Sequence, residues 1–418
     1  MQEAGKLDRI HQAMFSPLYL NRCEFHMKTI FRVPTYVALL FLFVGNSVCL
    51  SQSVSVFNAG QNTSFIDVGF DHVTDEIVLV GNDVVGGSST PTVYNLSLDQ
   101  TSFSSSVLTG LGPNTQVTGI APKGTYISGR SDTSSSDTTS VGVAWQSSAP
   151  GAPVSAGQPV FDPYFGSFDD VTPTEAWNGG VVGSLNVPGT VNFAYRWEAA
   201  TSSDSFVDGP FAFESFASVN DVSGDGTVTV GRIGDAGLET GVIWDESGNT
   251  TFFNSAEFAS VSANGQFIGG NLGFLDFRAA VWTDGPDGFQ PEALTRQNDV
   301  TGATEALLGQ VDGISDSGFA FGTAGGTSFV WDASFNGIDS QFTGAQDFDD
   351  WILAVGDVAL PSDAIVTGII EKDQILHFSV NSESQGALVV SVNTVPEPGS
   401  CVISLAAISC ILLRRRRT

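Results

Sequence analysis

Through most of residues 65 to 380 the apolar positions fall in short runs, and no long stretch carries the 3.6-residue period of an amphipathic helix. The pattern predicts strands. These runs come in pairs: one that ends at a glycine is followed, across small and polar residues, by one that ends at an aromatic side chain. Examples are "VNDVSGDGTVTVGRIGDAGLETGVIWDESG" and "VSANGQFIGGNLGFLDFRAAVWTDG". Seven such units follow one another. Their aromatic positions are Tyr94, Trp145, Trp197, Trp244, Trp282, Trp331 and Phe378, at spacings of 51, 52, 47, 38, 49 and 47. Their glycines are Gly81, Gly129, Gly183, Gly231, Gly269, Gly322 and Gly368.

Turns such as "SGDG", "SANG" and "SDSG" precede the glycine-ended runs and suit tight hairpins with positive φ. The glycines suit close backbone approach near a crowded axis. Further strand candidates, "SSVLTG", "TTFFN" and "PEALT", bring each unit to three or four strands. A period in the forties with that strand count predicts an all-β fold, a seven-bladed β-propeller. A solenoid would have shorter coils, and tandem sandwiches would show a linker near the middle. The aromatic residues recur at one phase of every unit, which predicts packing between blades rather than a sugar-stacking platform. "SVSVF" near the start and "GALVVSV" near the end are the two candidates to close the ring. The units resemble extracellular repeats of the HAF type, a resemblance that implies an extracellular repeat domain without naming a reaction.

The ends of the chain follow a different pattern. From Met27 the sequence has positive charge at Lys28 and Arg32, an apolar core from Val37 to Val44, and small residues between Cys49 and Ser51. Residues 27–51 therefore read as a secretory signal peptide, and 1–26 as an over-extended start. The repeat domain spans 52–394. The last segment, 395–418, is a Val395-Pro396-Glu397-Pro398 box, an apolar run from Gly399 to Leu413, and Arg414, Arg415, Arg416 and Arg417. As a helix that run is roughly 22 Å long against a hydrocarbon core of roughly 30 Å, which suits a short transmembrane tether. The arginines set their end in the cytoplasm. In this order the parts resemble the PEP-CTERM sorting signal. The resemblance implies export, passage through the inner membrane in transit, cleavage near the box by an exosortase, and arrival at the outer surface or matrix of an exopolysaccharide-making cell.

Removing both ends changes the composition. All four cysteines, Cys23, Cys49, Cys401 and Cys410, lie outside 52–394, so no disulfide, thiolate metal site or cysteine nucleophile is expected there. Seven basic residues remain against 41 acidic ones, a net charge of −34. Such a surface repels nucleic acid and attracts cations.

The chemistry-bearing motifs are few. Only His72 and His377 remain in the domain, with no nucleophile elbow and no phosphate loop. The first carboxylate candidates are Asp169, Asp170, Asp221, Asp312 and Asp316. Asp347, Asp349 and Asp350 join them, because glycoside hydrolysis needs only a correctly spaced pair. Within "DVSGDG", Asp221, Ser223 and Asp225 place oxygens at alternate positions as a calcium loop begins, although a simple β-turn is the stronger reading of the same residues. The expectation is a non-enzymatic, surface-sorted binding or structural propeller without a dedicated cofactor, its partners the exosortase and secretion machinery and then exopolysaccharide or another surface protein. Two rivals stand beside it: a polysaccharide-acting enzyme, favoured by two carboxylates converging on an axial pocket, and a calcium-dependent adhesion module.

Overall fold

The computed structural model describes residues 53–85, 88–132, 140–156, 161–162, 166–167, 170–187, 191–206, 217–234, 240–273, 276–298, 301–332 and 344–394. The segments expected to be a signal peptide, 27–51, and a sorting tail, 395–418, lie outside the described residues. Among the described residues no helix is long and apolar enough to cross a membrane.

The chain is a seven-bladed β-propeller. Blades 1 to 6 span 63–107, 116–155, 170–206, 217–254, 256–293 and 310–347, each of four antiparallel strands running from the axis outward, and one parallel pairing of Asp170 with Ser140 joins blades 2 and 3 into a continuous sheet. Blade 7 takes three strands from 365–393 and its outermost strand from Val54–Gly60. Val54 pairs with Val392 and Phe57 with Val389 in that closure. Both closing candidates from the sequence thus meet in one blade. Every blade-to-blade gap holds one cluster of buried side chains, seven clusters for seven gaps.

The repeat motif has a physical basis in strand pairing. Trp145, Trp197, Trp244, Trp282, Trp331 and Tyr94 sit on third strands, opposite Ile127, Val181, Thr229, Ile268, Ala320 and Leu79. Each is at most 3% exposed and packs toward the preceding blade. Gly129 and Gly231 lie two residues further along the second strand, beneath the tryptophan rings. A Cβ there would stand 2.7 Å from Trp145 and 2.9 Å from Trp244. The absent side chain is what lets the indole lie down. In blade 5 Gly270, rather than Gly269, faces Phe258 at this register, and its Cβ would meet Glu257 O at 2.0 Å.

Blade 7 departs from the predicted phase. Phe378 lies on the second strand, opposite Val390, and Gly368 lies on the innermost strand. The ring of Phe378 still packs toward blade 6, where Phe348 and Trp351 of helix α1 (Phe348–Gly356) approach it with centroids 5.1 and 6.1 Å away. A helix between blades supplies the aromatic bulk here, so the third strand carries valines and needs no tryptophan. Asp349 and Asp350 occupy its first turn, where the helix dipole favours them, and Asp347 is its N-cap residue.

Candidate functional site

In every blade the innermost strand carries a one-residue bulge against its neighbour. A bulge re-aims the side chains beside it. The residue that follows is Asp67, Gly119, Glu175, Asp221, Ser260, Gly313 and Gly368 in turn around the ring. All of these positions but Gly119, which Thr118 and Ile120 flank, border an axial cavity of about 170 Å³ to which all seven blades contribute. Among the described residues six acidic ones line it, Asp67, Glu175, Asp221, Asp312, Asp316 and Glu371, and no Lys, Arg or His does.

Asp67 and Asp221 use both oxygens on backbone donors. Asp67 accepts from Val68 N at 2.8 Å and from Ile120 N of the next blade at 2.9 Å. Asp221 accepts from Val222 N and from Val261 N of the next blade, both at 2.6 Å. Glu175 accepts from Ala176 N at 2.9 Å and bends back over blade 2, where a Cβ on Gly119 would lie 2.3 Å from Oε1. The glycine at this ring position makes room for the glutamate. Loss of hydration outweighs the amide bonds and pushes Asp67 up to about 6 and Asp221 up to about 8. Glu175 is held well above the carboxylate range, by burial first and then by the charges of Asp67 and Asp221. Burial also lifts Asp312 to about 6, against a hydrogen bond from Thr323 Oγ1 at 3.0 Å.

The turns at one end of the inner strands join into a belt. Phe70 N donates to Pro122 O at 2.8 Å, Lys123 N to Asn178 Oδ1 at 3.0 Å, and Asn178 N to Gly224 O at 3.1 Å. Gly224 N donates to Ala263 O at 2.9 Å, Asn264 N to Asp316 Oδ1 at 2.7 Å, and Ser317 N to Glu371 Oε2 at 3.0 Å. Lys372, with Nζ 5.4 Å from the Phe70 ring centroid, completes the circuit. The Asp-, Asn- and Gly-rich turns of the repeats are therefore contacts between successive blades.

The sequence candidates divide accordingly. Asp221, Asp312 and Asp316 reach the cavity. Asp347, Asp349 and Asp350 belong to the start of α1, and Asp169 lies outside the described residues, as does the side chain of Asp170. In "DVSGDG" Asp225 turns outward, and donors from Thr227 N, Thr227 Oγ1 and Ser223 Oγ at 3.0, 2.8 and 2.8 Å make it an ordinary turn residue. Gly226 O accepts from Arg196 Nη1 at 2.6 Å, so a guanidinium already stands at this loop. No group of three or more His, Cys, Asp or Glu among the described residues is arranged to hold a metal ion. His72 packs its ring on Phe70. His377 is buried, its Nδ1 2.7 Å from Ser391 Oγ, and burial drives its pKa down to about 4.

Asp67, Glu175 and Glu371 were not among the sequence candidates. Stacking the units as "FIDVGF", "VTGIAP", "PTEAWN", "VNDVSG", "FASVSA", "VDGISD" and "VTGIIE" puts the seven ring positions in one column. That column was the available signal for Asp67 and Glu175, while Glu371 stands three places further along, in one column with Asp316.

No family model and no curated protein matches this chain. Among solved structures it is similar to the β-propeller domain of the Trilobed protease from Pyrococcus furiosus. That match has 9% identity over 82% of this chain and 99% of the other, with a TM-score of 0.47. Kuenenia stuttgartiensis hydrazine synthase aligns at 10% identity over 81% and 97% of the two chains, with a TM-score of 0.45. Pyrococcus horikoshii acylaminoacyl peptidase aligns at 10% identity and a TM-score of 0.44, with 79% of this chain matching 52% of that one.

Proposed function

We propose that this protein is an exported propeller, sorted to the cell surface by its C-terminal segment, with a binding or structural role in an exopolysaccharide matrix. The observation that carries this reading is the order of the Pro396-Glu397-Pro398 box, the short apolar run and Arg414–Arg417 at the end of the chain. The ring supports it physically. Asn393 N donates to Ser53 O at 3.0 Å, so the two ends of the repeat domain meet in the closing blade, and cuts before Ser53 and after Thr394 spare every pairing that closes the ring. Intact mass of the protein from inner-membrane, surface and medium fractions of its own cells is the test. The expected mass begins near Ser51 and ends near Pro396 to Pro398. A surface form that retains Arg414–Arg417 would sink the proposal.

A second reading, hydrolysis of a glycan, is favoured by the convergence of Asp67, Glu175 and Asp221 on the axial cavity. Carboxyl groups in unlike environments are what acid–base cleavage of a glycosidic bond requires, and Glu175 is the group suited to donate the proton. Released reducing ends from the producing cell's own polysaccharide measure it. On this reading Glu175→Gln lowers the rate by about 100-fold or more. No release by the native protein above a buffer blank rules the reading out.

A further inference from the structure

We propose that Asp67 and Glu175 form a proton-held latch across blades 1, 2 and 3, which tightens the ring in acidic surroundings and loosens it in alkaline ones. Independently of either reading above, the geometry assigns these two side chains a shared task. Asp67 reaches forward from blade 1 to the Ile120 amide of blade 2, while Glu175 reaches back from blade 3 over Gly119, the residue before it. Both occupy the same bulge position of their blades. The neighbouring ring positions are glycines for the reason already seen at Gly119: a Cβ on Gly368 would stand 2.9 Å from Asp67 Oδ1. Three blades are thus tied at one point by two carboxyl groups and the backbone between them.

The Ile120 amide serves both carboxyl groups, and the charge of Asp67 works against ionisation of Glu175, so a proton held by the pair removes the repulsion and supplies an O–H donor. Among the described residues that line the cavity, no Lys, Arg or His replaces the proton. Blade 4 brings Asp221 toward the pair, and Asp312 and Glu371 line the same cavity. Of the strands packed against that of Glu175, Gln116–Ile120, Ser140–Gln146 and Gly180–Val187 carry no charged residue, and Tyr126–Asp132 carries Arg130 and Asp132. The basic residues on adjoining strands act elsewhere: Arg130 Nε donates to Gln116 Oε1 at 2.8 Å, and Lys372 lies against Phe70 and Asp373. The strand of Asp67 itself carries Asp71, and the strands packed against it carry Glu76, Asp83, Glu371, Lys372 and His377.

The sign follows from linkage. Both groups bind their proton more tightly folded than unfolded, so their contribution is complete below about pH 4 and is lost as pH rises through 6 and beyond. The full chain, unfolded by heat between pH 5 and 9 in 0.5 M NaCl to screen its general acidity, should lose about 3–6 °C of midpoint across that range. Glu175→Gln should remove at least half of that fall, whereas the exposed control Glu292→Gln should keep it. An equal slope in Glu175→Gln and the control overturns the latch. Should Glu175→Gln not fold, proton exchange of the native chain decides: unfolding at pH 7 must release protons, and uptake or no exchange overturns the idea. Rescue of the alkaline midpoint by calcium chloride beyond sodium chloride of equal ionic strength would name a metal as the counter-ion, and overturns it too.

Discussion

Deleting Ser53–Gly60 is expected to open the ring, lower the thermal midpoint by about 10 °C or more and broaden the transition, while deleting residues 395–418 leaves the midpoint unchanged. The asymmetry comes from position rather than length. Val54–Gly60 pairs with six residues of the strand Gly386–Asn393, and Gln61 Nε2 adds a bond to Ser384 O at 3.2 Å. Its side chains are anchored as well: a Cβ on Gly356 would stand 2.3 Å from Val54 Cγ2, and the Phe57 ring lies 5.0 Å from Phe103. Without it the buried strand carrying Leu388, Val390 and Val392 becomes an apolar sheet edge, the usual start of aggregation. The closing contact also joins the two ends of the domain, so no later pairing restores it. Calorimetry of the two truncations checks this, and an unchanged midpoint without residues 53–60 would show that the ring holds by other means.

Gly231→Val should cost about 3 kcal/mol or more, close to the cost of Trp244→Ala, although one change adds atoms and the other removes them. A Cβ on Gly231 would stand 2.0 Å from Ser218 O and 2.9 Å from the Trp244 ring, so either the bulged inner strand or the indole must move. Trp244 is fully buried between blades 3 and 4, and its truncation leaves a cavity. The contrast is Gly288→Ala: nothing stands within 4 Å of its Cβ position, and only its φ of +81° opposes a side chain. A cost of about 1 kcal/mol is expected there. Urea unfolding of the three variants tests the ranking; a Gly231→Val loss below that of Gly288→Ala would mean the close approach carries no weight.

The two parts of the repeat motif were legible in the sequence because they act together. A glycine two residues along a strand from the position facing a tryptophan is a local arrangement that must recur wherever a blade is built the same way. The exception at Phe378 was not legible. Its phase depends on α1 filling the gap between blades 6 and 7, which is a property of the neighbours and not of the unit. The axial carboxylates were partly legible: Asp221 stood out because a turn motif surrounds it, while Asp67 and Glu175 lack such flanks.

Strand periodicity, glycine and aromatic spacing and turn chemistry are short-range properties, so the sequence by itself determined a seven-fold all-β ring with buried tryptophans. It also determined which pair of strands was available to close it. Which carboxyl groups meet was decided only by tertiary structure. Asp67, Gly119 and Glu175 lie more than fifty residues apart in succession, and only the packing of blades 1, 2 and 3 side by side brings them to one point on the axis. Their electrostatics follow from that enclosure, because hydration lost at the axis, rather than any neighbour in sequence, sets how tightly the protons are held.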